Sequence, residues 1–138
     1  GQGRCQYAIL LMVTHVKQIE TKQAPQAIGP YSQAVIADGW MFISGQLPLD
    51  PATGEMPDGI EAQTARALEN VREILRAAGA EMDAVVKVTV YMQDLGEFAA
   101  MNACYGTYFS APFPARAAIQ AAALPKGAKL EIDVIARV

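Results

Sequence analysis

Residues 113–138 read FPARAAIQAAALPKGAKLEIDVIARV. Two runs able to form strands, 115–124 and 129–138, flank the turn-forming quartet Pro125-Lys126-Gly127-Ala128. The pattern predicts a terminal hairpin, and the rest of the chain must fit the sheet it belongs to. In the first run Arg116 heads a stretch that is small and apolar apart from Gln120. A guanidinium there is either a rim charge in water or a grip for an anion.

Upstream of this stretch, LGEFAAMNACYGTYF (95–109) reads as a helix with an apolar stripe of Phe98, Met101, Tyr105 and Tyr108, closed off by Pro112 and Pro114. AVVKVTVYMQ (84–93) is a β-branched strand. DGIEAQTARALENVREILRAAGA (58–80) is the clearest helix. Asp58 and Glu61 have capping-box spacing, Leu68, Val71, Leu75 and Ala78 share a face, and Gly79 is the stop. AIGPYSQAVIADGWMFISGQLPLD (27–50) reads as two strands about Asp38-Gly39, and HVKQIET (15–21) as a first strand.

The order β-β-β-α-β-α-β-β predicts an α+β domain: one mixed six-stranded sheet with both helices on one face. The other face must meet water or another chain. Apolar residues on both sides of the last strands, Ile119, Ala121 and Ala123 against Ala118 and Ala122, point to an oligomer interface.

The 138 residues suit one domain, 52% hydrophobic and 18% charged. The net charge of −3 disfavours a nucleic-acid or anionic-membrane surface, and no segment reads as a membrane span. Cys5 and Cys104 form no disulfide framework or zinc pair, so a reducing, cytoplasmic compartment is expected. His15 is the lone histidine and reads as a surface residue. CQYAILLMV (5–13) resembles a weak signal-peptide core without a cleavage site. Met12 is read as the natural start and residues 1–16 as an extension ahead of a domain at 17–138.

Glu131, alternating with Leu130 and Ile132, is either a solvent-face residue or, if placed in a cleft, a proton carrier with raised pKa. A four-residue turn would set Ala122 opposite Glu131. Arg116 would then lie roughly 20 Å further along its strand. Arg116 and Glu131 would share a site only if two subunits build it. Tyr31 and Ser32 flank a Gly-Pro turn, where the tyrosine either covers a pocket or packs the loop. Gly45 would let a ligand approach the backbone. Asn102 either orients a polar ligand or ties a loop. Cys104 reads as a packed helix thiol. No phosphate-loop, dinucleotide or hydrolase-elbow motif occurs.

AIGPYSQA, FISGQLPLDPATGE, NACY and FPARAAIQAAALPKGAKLEID, taken together, resemble the RidA (YjgF/YER057c/UK114) family of reactive-intermediate deaminases over residues 17–138. The resemblance implies a chorismate-mutase-like fold and a homotrimer with sites between subunits. It implies hydrolysis of 2-imino acids, released by amino-acid dehydratases, to 2-keto acids and ammonia, with no cofactor or metal. Arg116 matches the residue that grips the substrate carboxylate, and Glu131 the one that positions water. Tyr31, Ser44, Gly45, Asn102 and the backbone at Ala118 match pocket positions. Some members carry cysteine where this chain has Ala118, and the loop YFSAPFPAR (108–116) is shorter than in some. Two alternatives stand beside this reading: an endoribonuclease that inhibits translation, and a non-catalytic trimer that binds small carboxylates.

Overall fold

The computed structural model describes residues 16–138; Cys5, Met12 and His15 lie outside the described residues. The strands are β1 (Lys17–Ile19), β2 (Ala34–Ala37), β3 (Trp40–Gln46), β4 (Val85–Met92), β5 (Ala115–Gln120) and β6 (Leu130–Arg137). The helices are α1 (Ile60–Ala77) and α2 (Phe98–Tyr105). The strands form one mixed sheet in the order β1-β2-β3-β6-β4-β5. No helix among the described residues is long and apolar enough to cross a membrane.

The predicted hairpin at the C-terminus does not form. β6 lies between β3 and β4, antiparallel to both, while β5 pairs parallel with β4 at the sheet edge. The cause is burial. β6 offers Leu130, Ile132, Val134 and Ala136 to the core and earns a central place. β5 has little apolar bulk to bury, ends at Gln120 and takes the edge. Residues 121–129 carry the chain between them, with a 3₁₀ turn at Pro125–Gly127 and Lys126 at φ 58°. A parallel β4/β5 pair needs a crossover, which α2 supplies. Glu131 therefore opposes Tyr91, not Ala122, and Arg116 opposes Val88.

Elsewhere local chemistry and structure agree. Asp38 and Gly39 both have positive φ, 51° and 80°, and turn β2 into β3 with Ala37 opposite Trp40. α1 buries Leu68, Val71, Ile74 and Leu75 against the sheet. Gly79, at φ 76°, closes it with paired bonds from Gly79 N–H to Arg76 O and from Ala80 N–H to Leu75 O. The capping box at Asp58 does not form: Gly59 is the N-cap and no side chain caps the helix.

Both helices cover the face carrying Val88, Val90, Ile132 and Val134, all buried. The opposite face carries Trp40, Phe42 and Ile119, exposed by 42%, 46% and 47%, so it is an apolar surface without a cover in the single chain. Two buried amides fix the loops beside the sheet. Gln33 Nε2 donates to Thr21 O, Ala24 O and Pro25 O. Asn70 Nδ2 donates to Leu47 O and Leu49 O.

Candidate active site

The parallel register with Val88 turns Arg116 toward the helices. There its Nη1 donates to Asn102 Oδ1 at 2.5 Å. Its Cζ lies 4.7 Å from the Tyr105 ring centroid and 5.3 Å from that of Phe98. Phe98, Asn102 and Tyr105 fall on one face of α2, spaced i, i+4, i+7. None of the ion pairs among the described residues involves Arg116. The guanidinium opens onto a hollow of about 400 Å³ bounded by Asn102, Tyr105, Gly106, Phe113 and Pro114. Ala118, two residues on, faces the same side and packs on the core.

Glu131 belongs to the other face. It shares a row with Tyr91, and Asp133 follows it on the same side of β6. Burial pushes the Glu131 carboxyl above the ordinary carboxylate range, and the Asp133 charge adds to the shift. Tyr91 Oη donates to Asp133 Oδ2 at 2.9 Å. β3 bulges between Ile43 and Gln46, bringing Gly45 against this carboxylate. A Cβ at Gly45 would lie 2.7 Å from Glu131 Oε2, so only glycine permits the approach.

Tyr31 is 53% exposed, and its hydroxyl accepts from Ile28 N–H at 3.3 Å. It shares a hollow of about 570 Å³ with Gly45, Gln33, Lys22 and Lys126. Ser44 Oγ donates to Ser32 O at 2.6 Å, which commits that hydroxyl proton to the loop. Cys104 is half-buried, and burial followed by the Glu61 charge pushes its thiol up, away from the reactive thiolate.

The chain thus brings Arg116 to Asn102, and Glu131 to Gly45, but keeps the two groups apart. They lie two strands and three residues apart, roughly 14 Å between Cα atoms. More decisively, they point from opposite faces. The expected terminal hairpin also separates the two groups, but for a reason the fold does not bear out. Phe98 and Tyr105, expected only in the core stripe, also face Arg116, and Tyr91 and Asp133 join Glu131 without having been expected there. The spacing 98, 102, 105 on a helix and the alternation 131, 133 on a strand were the available signals.

A family model described as Endoribonuclease L-PSP matches residues 21–138. The chain belongs to this L-PSP/RidA family. A RidA-family relative from Capra hircus, "2-iminobutanoate/2-iminopropanoate deaminase", is 53% identical over 119 residues, 86% of this chain and 87% of that protein. The YjgF gene product of E. coli superposes with a TM-score of 0.85 at 45% identity, covering 88% of this chain and 98% of that one. E. coli TdcF with bound serine gives the same TM-score, identity and coverage. The α+β sheet of this chain is therefore the fold of its RidA relatives.

Proposed function

We propose that this protein hydrolyses 2-iminobutanoate and 2-iminopropanoate to the 2-keto acids and ammonia. The observation that carries the reading is Arg116: a guanidinium held by neutral groups, without an anionic partner among the described residues, and open to a hollow. Such a group suits a small carboxylate. The Capra hircus relative's name supplies the imines, and the serine on TdcF shows that a relative holds a small α-amino carboxylate.

In this reading Arg116 fixes the substrate carboxylate through two N–H donors, with Asn102 setting the guanidinium. Water adds to C2, the C=N electron pair moves to nitrogen, and nitrogen takes a proton. The resulting aminoalcohol gives up its hydroxyl proton, nitrogen takes a second proton, and the C–N bond breaks to release ammonia. Glu131, its carboxyl raised, is suited to take the proton from water and return one to nitrogen. The imine carbon is already electrophilic, so orientation and proton transfer suffice and no cofactor is called for.

One chain cannot set Arg116 and Glu131 on one small substrate. We place the reaction between subunits of a homotrimer, with Arg116 and Asn102 from one copy and Glu131, Gly45 and Tyr31 from its neighbour. Ser44 and the Ala118 backbone line the same cleft. The apolar face carrying Trp40 and Phe42 suits that association. Residues 17–138 form the working unit, in a reducing cytoplasm.

Coupling to a threonine dehydratase tests the activity. The wild type should outcompete semicarbazide for the short-lived imine, and Arg116→Ala should not. Undiminished semicarbazone formation with the wild type would sink the reading. RNA cleavage that survives in Arg116→Ala would favour the activity in the family's description.

A further inference from the structure

We propose that Phe98 and Tyr105 are positioning residues that hold Arg116 by its π-facing surface and so leave its full positive charge for the substrate. The inference rests on Arg116 gripping the carboxylate and adds what makes that grip strong. An arginine on an exposed edge strand has many rotamers, and fixing them needs partners. The usual partner is a carboxylate, but a carboxylate would neutralise the charge that a ligand must find. Here every partner is uncharged. Asn102 offers an amide oxygen, and two rings stand 4.7 Å and 5.3 Å from Cζ, within cation–π range.

Tyr105 could supply a charge only by ionising, and it does not. Burial pushes its phenol up, against a smaller downward pull from Arg116, so the ring stays neutral through the physiological range. Its hydroxyl is buried without a hydrogen-bond partner among the described residues, so it ties the ring to nothing. The ring face is therefore what Tyr105 brings to Arg116. Phe98, without any hydroxyl, does the same about two turns earlier on α2. The helical spacing that looks like a core stripe also builds a cradle for one cation.

NMR titration with 2-ketobutanoate and with its neutral carboxamide tests this in the full-length protein. Phe98→Leu and Tyr105→Leu should bind the carboxylate about threefold to thirtyfold more weakly, the range of a partly desolvated cation–π contact. Both should bind the carboxamide as the wild type does. Tyr105→Phe keeps the ring and should bind both ligands normally, with an unchanged or higher melting temperature. Equal weakening of both ligands would mean general loosening and would overturn the inference. So would loss of carboxylate affinity in Tyr105→Phe, which would move the role to the hydroxyl. If Tyr105→Leu does not fold, half-buried Phe98 carries the test alone. Arg116→Ala probes the site itself. Carboxylate affinity retained there overturns the site reading and this inference together. Affinity lost there but kept in both leucine variants overturns this inference only.

Discussion

A methyl group at position 45 has no room, because the Glu131 carboxylate already occupies the space. With Glu131 in its proposed role, Gly45→Ala should push that carboxylate aside and lower kcat on the order of tenfold to a hundredfold, the cost of misplacing a proton-transfer group by about an ångström. Steady-state kinetics at fixed fold, verified by circular dichroism, checks it. Asn102→Asp should set an anion on Arg116, strengthen that contact and weaken binding of 2-keto acids at least about tenfold, a loss of ~1.4 kcal/mol. Glu131 also leaves a mark on stability. Its carboxyl is raised in the folded state, so the folded chain binds the proton more tightly than the unfolded one. Stability then falls as pH rises from the ordinary carboxylate range through the raised value and stays lower above it. Glu131→Gln should remove that slope, and urea melts across the acid range should show the variant gaining on the wild type as pH rises. Arg116 and Glu131 were legible in the sequence as a charge among alanines and an acid in a strand. Their opposite orientation was not, since facing depends on which strand each one pairs with.

Elements were legible where a local rule decides them. Gly79 ends α1 because its φ of 76° suits glycine, and Gly79→Ala should cost about 1 kcal/mol in denaturant melts. Asp58 is the counter-case. A capping Asp replaced by Ala typically loses about 1 kcal/mol, but here the side chain caps nothing, so Asp58→Ala should melt with the wild type. Strand order was less legible. A turn quartet suggested that β5 and β6 pair, whereas four buried apolar residues drew β6 to the sheet centre and left β5 as an edge. That competition is settled by the whole core, and no window of sequence contains it. The same misreading hid the cradle around Arg116: α2 reaches that side chain only because β5 runs parallel to β4 beneath it.

At the scale of the molecule, the proposed reaction brings together two half-sites from opposite faces of one sheet, and so calls for a second copy. Phe42 lies on the open face and is 46% exposed in the single chain. On the proposed trimer, Phe42→Glu should shift the protein to smaller species in sedimentation and lower activity in proportion. The most direct measurement mixes two inactive proteins. Arg116→Ala keeps Glu131, and Glu131→Gln keeps Arg116. Co-refolded in equal amounts, they should recover about a quarter of wild-type activity, because random closed assembly pairs an intact arginine with an intact glutamate at that fraction of shared interfaces. Mixed trimers as inactive as either parent would contradict a site shared between subunits.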